Sequence, residues 1–204
     1  MRRIISQKVS FLSGTAVSIA LFKPSEAAAH LVTTGMGPVY DGIGHLLLTP
    51  EDLVPALAMA LYAGLRGRVP GRRALFFFPL AWLMGGFAGL FTGSMTAFPL
   101  SALSFLLLGA LIAADLRLPD KAFTVLAVTI GLMHGFFNGI ALKTGPAVLG
   151  LLGIMSALFV LVAIISAFII SLKPPWARIV VRVAGSWVAA MGLLMIGWFF
   201  RGQV

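Results

Sequence analysis

The sequence predicts an all-α protein, a polytopic membrane bundle of about six transmembrane helices that follows an N-terminal signal peptide. Of its 204 residues, 60% are hydrophobic and 10% are charged, whereas soluble domains carry about 25% charged residues. Apolar runs of roughly 20 residues follow one another, and each could cross the ~30 Å hydrocarbon layer as a helix. The runs do not alternate between apolar and polar residues, which argues against a transmembrane β-barrel.

The first 29 residues have the layout of a secretory signal peptide. Basic residues open the chain, a short apolar stretch covers 9–22, and the small residues of "SEAAA" follow. The alternative is an uncleaved first helix, for which an apolar stretch of about 14 residues is short. We therefore expect cleavage near Ala28 or Ala29, which leaves residues 30–204 as one membrane domain.

Six predicted spans fill that domain. The first is interrupted near Thr49 and Pro50, because proline lacks an N–H and disfavours a helical residue before it. The predicted spans cover about 38–65, 74–93, 97–114, 122–142, 146–172 and 179–200.

The basic residues predict the orientation in the inner, cytoplasmic membrane of a bacterium. The connections at 66–73, 115–121 and 173–178 hold most of the arginines and lysines, so the positive-inside rule places them in the cytoplasm. Cleavage of a signal peptide would put the start of span one outside, and this orientation agrees with the one that the positive-inside rule gives. Both mature termini should then face outward.

Two glycine stripes predict close helix packing. Glycines recur every fourth residue in spans two and four, and such stripes let helix backbones approach each other in lipid. They are also possible docking faces for a homo-oligomer or a partner membrane subunit. The stripes are Gly85, Gly89 and Gly93, and Gly131, Gly135 and Gly139.

A first polar cluster, "YDGIGHLLLTPED", interrupts span one. Asp41 and His45 are four residues apart and share a helix face, while Glu51 and Asp52 follow the break. A charged side chain within the membrane costs about 2.5–3.5 kcal/mol, so such residues usually face an interior site. The alternative is that the two acids after the break only complement the dipole of the helix that follows.

A second polar cluster, "GLMHGFFNG", lies in span four. His134 and Asn138 share a face beside the glycine stripe, and they meet the first cluster if spans four and one pack together. Imidazoles and carboxylates together are ligands for divalent transition metals. The predicted metal site comprises Asp41, His45, Glu51, Asp52, His134 and Asn138.

At these clusters the sequence resembles the HupE/UreJ family of nickel and cobalt permeases, whose members typically have a signal peptide and about six spans. "DGIGHLLLTPED" aligns without gaps to the family pattern H-x-x-x-H-P-x-x-G-x-D-H, with partial identity: His45 stands at the central histidine, Asp41 and Asp52 at the outer histidines and Glu51 at the aspartate. "HGFFNGIA" fits H-G-x-x-H-G-x-E, with His134 retained.

The departures from the family pattern replace nitrogen ligands by oxygen ligands. Asn138 stands at a histidine position and Ala141 at the glutamate. Oxygen-rich sites favour harder ions such as Mn or Mg. The resemblance thus implies a permease whose substrate is a divalent ion, Ni, Co or a harder ion such as Mn, with no tightly bound cofactor. Without a G-x-x-x-x-G-K-[ST] motif, transport would be passive or coupled to an ion gradient.

Other functions remain open as alternatives. His45 and His134 could be axial ligands of a haem in an electron-transfer subunit, or the chain could be a non-transporting membrane subunit of a larger complex. We see no nucleophile motif and expect no enzyme. The net charge of +9 is explained by the membrane orientation, so nucleic acid is not an expected partner, whereas the lipid bilayer is.

Several remaining polar or aromatic residues have ordinary structural interpretations. Asp115 and Asp120 are expected to be solvated partners of Arg117 and Lys121. Small hydroxyls in membrane helices usually serve packing, and two tryptophans lie deep in their spans. The residues interpreted as packing groups are Ser94, Ser101, Ser104, Ser156, Trp82 and Trp187.

Overall fold

A computed structural model describes residues 33–93, 100–143 and 145–201. The predicted signal peptide lies outside these residues, so its presence and its cleavage stay predictions. Every regular element of the described residues is an α-helix. The seven helices are α1 (Pro38–Leu48), α2 (Pro50–Arg66), α3 (Arg68–Leu90), α4 (Leu100–Ala113), α5 (Asp120–Ala141), α6 (Ala147–Ser171) and α7 (Pro175–Arg201).

The helices confirm an all-α protein and are consistent with a membrane bundle, while the number of spans stays a prediction. Four of them, α3, α5, α6 and α7, are long and apolar enough to cross a bilayer. The α1–α2 pair qualifies only as a bent unit, with 79° between its halves, and α4 is a shorter apolar helix of 14 residues.

The predicted break in span one is confirmed at Thr49. Its backbone is extended, with φ −101° and ψ 98°, and its N–H still donates to the carbonyl of His45 at 3.0 Å. Pro50 is the first residue of α2, where a missing N–H costs nothing. Glu51 and Asp52 consequently lie in the first turn of α2, as predicted.

The connection predicted at 66–73 is almost entirely helical instead. Only Gly67, with φ 100°, separates α2 from α3, and a positive φ of this kind is readily adopted by glycine. Pro70 falls in the first turn of α3, whose N–H groups have no intrahelical acceptor, so proline is tolerated there. Basic residues therefore identified the end of the span but not the length of the connection.

The two glycine stripes pack α3 against α5. A Cβ atom at Gly135 would overlap the carbonyl oxygen of Trp82, and one at Gly89 would overlap the carbonyl oxygen of Phe136. Gly93, by contrast, meets nothing within 4 Å. Close packing is thus confirmed within one chain, while the oligomeric state stays a prediction.

Glycines also bring two other helix pairs together. A Cβ atom at Gly42 in α1 would overlap the backbone of Gly150 in α6, and one at Gly109 in α4 would overlap the backbone of Ala189 in α7. The hydrophobic core includes Tyr62, Phe78 and Leu158, all fully buried.

The three basic connections meet at one end of the bundle, joined by Asp115. This residue follows α4 with a left-handed backbone, φ 53°. It forms ion pairs with Arg66, at the end of α2, and with Arg178, near the start of α7, the latter at 2.7 Å. The predicted pairing with Arg117 and Lys121 is therefore wrong, because cations from distant parts of the chain reach the carboxylate. Which face of the membrane this end occupies stays a prediction.

Asp120 likewise has a partner from another helix. Its Oδ2 atom lies 3.5 Å from Nη2 of Arg73 in α3. This second pair holds the start of α5 beside α3, the helix against which its glycine stripe packs.

Candidate functional site

Asp52 is the centre of a buried polar cluster. Its Oδ1 atom lies 2.9 Å from Nδ1 of His134, and its Oδ2 atom accepts a hydrogen bond of 2.8 Å from Nδ2 of Asn138. Only 6% of Asp52 and 3% of each partner is exposed. The break at Thr49 makes this contact possible, because it puts the carboxylate in the first turn of a new helix rather than further along α1.

His134 is held by contacts from three directions. Nε2 lies 2.9 Å from Oγ of Ser104 in α4, and that hydroxyl donates to the carbonyl of Ser101 at 2.7 Å. The imidazole also stacks on Trp82 in α3, with ring centroids 5.1 Å apart and planes 19° from parallel. Both ring nitrogens therefore have protein partners, and the ring is fixed in position.

His45 lies at the edge of this cluster. Nε2 is 4.0 Å from Oδ2 of Asp52, and the residue is buried. Five helices thus contribute to the site: α1 through His45, α2 through Asp52, α3 through Trp82, α4 through Ser104, and α5 through His134 and Asn138.

Two buried polar atoms in the cluster have no hydrogen-bond partner in the described part of the chain. They are Oδ1 of Asn138, an acceptor, and Nε1 of Trp82, a donor. A buried polar atom without a partner costs about 1–3 kcal/mol. The open carbonyl oxygen of Asn138 is the more informative of the two, because its own amide nitrogen already binds the carboxylate of Asp52.

Asp41 and Glu51 are not joined to this cluster by any contact seen among the described residues. Oδ1 of Asp41 accepts hydrogen bonds from N and Oγ1 of Thr34, at 2.6 and 2.7 Å. Asp41 also borders a small pocket formed with Pro146 and Gly150, where α6 begins. Glu51 is exposed. The structure thus brings together four of the six predicted ligands.

The described residues contain no group of three or more histidine, aspartate or glutamate side chains arranged to hold a metal ion. His134 Nδ1 and Asp52 Oδ1 are paired with each other, and His45 Nε2 remains 4.0 Å from Asp52 Oδ2. The six-residue metal site therefore stays a prediction.

Sequence reasoning missed two residues of the cluster, Ser104 and Trp82. Both were interpreted as packing residues, and Trp82 is indeed fully buried. A serine in an apolar helix carries no local signal that distinguishes packing from a hydrogen bond to another helix. Trp187, the other expected packing residue, is 72% exposed.

The fold and this cluster define a polytopic helical membrane protein with a polar site in its interior. The chain belongs to the HupE/UreJ family, because the family model described as "HupE / UreJ protein" matches residues 17–195. The family is associated with nickel and cobalt transport.

A curated relative supports this assignment. Protein HupE of Rhizobium leguminosarum bv. viciae is 26% identical to this chain over 198 residues, which covers 93% of this chain and 98% of the relative. No solved structure matches the chain.

Proposed function

We propose that this protein is a membrane permease for a divalent transition-metal ion, nickel or cobalt, and that the ion passes through the Asp52 cluster. The observation that carries the proposal is a buried carboxylate whose partners are an imidazole and an amide. No arginine or lysine among the described residues pairs with Asp52. No arginine or lysine side chain therefore competes with a mobile cation for this carboxylate.

The atoms around Asp52 suit a weak, mixed site. Ligands of one divalent ion lie about 2.1 Å from it, and so roughly 3–3.5 Å from each other. His45 Nε2 and Asp52 Oδ2, now 4.0 Å apart, would need to approach by less than 1 Å, an estimate from the same ligand distances. Asn138 would add its open carbonyl oxygen. Incomplete ligation suits a permease, because the ion must also leave.

We assign His134 an orienting role in the unloaded site. Through Nδ1 it holds one carboxylate oxygen of Asp52, which leaves the other oxygen facing His45 and Asn138. Partners that orient a metal-binding side chain typically change affinity or activity by about 10–100-fold when removed. His134 itself becomes a ligand if the ion displaces this hydrogen bond.

Asp41 and Glu51 would be earlier stations on the path of the ion. Both lie on the broken span that carries His45 and Asp52, and both are at least partly accessible. Discontinuous helices commonly form substrate sites in transporters. In this proposal they attract the cation, and the cluster around Asp52 selects it.

The test compares two aspartates that differ in burial. Asp52→Asn should lower the uptake of radioactive nickel and cobalt by about 10–100-fold in cells without other transporters for these metals. Asp120→Asn is the matched control, because it makes the same chemical change at an exposed residue whose partner is Arg73. Its uptake should equal that of the wild type.

Protein level in the membrane must be measured for both variants, and uptake is expressed per molecule of protein. Elemental analysis of purified wild type and Asp52→Asn protein gives an independent readout. Unchanged uptake and unchanged metal content in Asp52→Asn would refute the role of the cluster. If Asp52→Asn takes up nickel and cobalt normally but no longer takes up manganese, the proposed ion is wrong and the proposed site is right.

A further inference from the structure

A cleft lies between α3 and α6, beside the first two turns of α3. The cleft has a volume of about 270 Å³. It has a basic mouth, one buried hydroxyl and an apolar wall. The residues that form it include Arg68, Arg72, Ser166, Leu75, Ala163 and Ala167.

The positive charge of this cleft is unbalanced. Arg68 and Arg72 are exposed, and neither forms an ion pair with a described residue, unlike Arg66, Arg73 and Arg178. Both arginines lie in the first two turns of α3, whose first turn contains no acidic residue. The positive end of a helix dipole favours an anion, and the two arginines add positive charge at the same end of α3.

Ser166 provides an independent indication of a ligand. It lies in α6, and only 5% of the residue is exposed. Its hydroxyl forms no hydrogen bond with any described residue, yet the residue lines the cleft. The oxygen lies 3.8 Å from the position that a Cβ atom would take at Gly71, which precedes Arg72 in the sequence, so an unpaired hydroxyl donor lies beside the basic mouth of the cleft.

The surroundings of the cleft are those of a lipid-facing surface. Phe76 on α3 and Ile164 on α6 are 60% and 62% exposed, and Leu75 continues the apolar wall inward. An acyl chain can lie along such a wall, whereas a free phosphate ion gains nothing from it. Basic pockets between transmembrane helices on the cytoplasmic side are suited to anionic lipid headgroups.

We propose that the cleft formed by Arg68, Arg72 and Ser166 binds the headgroup of an anionic phospholipid. The two guanidinium groups pair with the phosphate, and the hydroxyl of Ser166 donates to one of its oxygens. This site is separate from the Asp52 cluster, and the inference does not rest on metal transport.

The test uses purified full-length protein from which lipid has been removed in detergent. Phosphatidylglycerol is titrated, and binding is followed by native mass spectrometry and by the shift in thermal unfolding. We expect Arg68→Gln with Arg72→Gln to weaken binding about 25-fold, from the contribution of two cations near a membrane surface. Ser166→Ala should weaken it about tenfold, through loss of a hydrogen bond to a charged group.

The matched control is Arg117→Gln with Lys121→Gln, which removes the same charge from two exposed positions, one before α5 and one in its first turn. Its affinity for phosphatidylglycerol should remain that of the wild type. Arg68→Lys with Arg72→Lys keeps the charge and should retain most of the binding, which excludes misfolding as the cause of the loss.

Three results would overturn the proposal. One is equal weakening in the glutamine variant and its control, which would indicate only a general effect of charge. The second is equal binding of phosphatidylcholine. The third is equal stabilisation by inorganic phosphate, which would identify a site for a soluble anion.

Discussion

Asp52 and Asp115 each join several helices, but they are neutralised in different ways. Asp115 lies at the end of the bundle between two arginines, Arg66 and Arg178, which carry permanent positive charge. Asp52 lies in the interior beside His134 and Asn138, which supply hydrogen bonds. The first carboxylate has two arginines as partners, and the second has no arginine or lysine partner among the described residues.

This difference separates a structural ion pair from a candidate binding site. The hydrogen bond from Arg178 holds the pKa of Asp115 below its ordinary value, although partial burial acts in the opposite direction. A carboxylate that already has two cations gains little from a third. Asp52 has only an imidazole and an amide, so an incoming divalent ion would satisfy its charge.

The largest effect should come from separating the helices that support the interior cluster. Gly135→Ala places a methyl group against the carbonyl oxygen of Trp82, so α3 and α5 must move apart. We expect a loss of stability of about 3 kcal/mol, together with loss of metal uptake. Thermal unfolding in detergent and nickel uptake measure the two effects.

Gly197→Ala is the control for this substitution. Gly197 is also helical, but a Cβ atom there meets nothing within 4 Å, and alanine favours a helix over glycine by about 1 kcal/mol. Its stability should be equal to or above that of the wild type. A Gly135→Ala protein with unchanged stability and uptake would contradict the role of close packing.

An intermediate effect is expected at Asp115, at the end of the bundle where the basic connections meet. Asp115→Asn leaves the buried guanidinium of Arg66 without its carboxylate and should cost about 2 kcal/mol, less than a fully buried pair because the site is partly exposed. Metal uptake per folded molecule should stay at the wild-type level. If uptake falls as far as in Asp52→Asn, the contrast between the two aspartates is wrong.

The smallest effect tests a residue that stabilises the interior cluster indirectly. Ser104→Ala removes the partner of His134 Nε2 and should cost about 1 kcal/mol, with a modest fall in uptake. Ser156→Ala is the control, since that exposed hydroxyl donates only to the carbonyl of Leu152 in its own helix. Equal uptake by both variants would show that Ser104 does not support the site.

Local sequence signals were sufficient for several elements. Pro50 predicted the break, and it also predicted that Asp52 would lie in the first turn of a new helix. The four-residue spacing of His134 and Asn138 predicted a shared face, and both side chains reach Asp52. These predictions succeeded because proline chemistry and helical periodicity depend on neighbouring residues alone.

Other features could not be predicted in this way. The partners of Asp115 come from α2 and α7, and Ser104 reaches His134 from α4. Long arginine side chains can pair across many sequence positions, so the nearest cation in the sequence was the wrong choice. Glu51 is adjacent to Asp52 but exposed, because successive residues of a helix point in different directions.

The sequence by itself determined that this chain is an apolar helical protein with two polar clusters, since composition and periodicity fix where helices form and which residues share a face. The tertiary structure decided which members of those clusters meet. Glycines let α3 and α5 approach closely, the bend at Thr49 turns Asp52 inward, and the packing of five helices selects its neighbours. Such choices depend on distances between segments far apart in the chain, which local patterns do not encode.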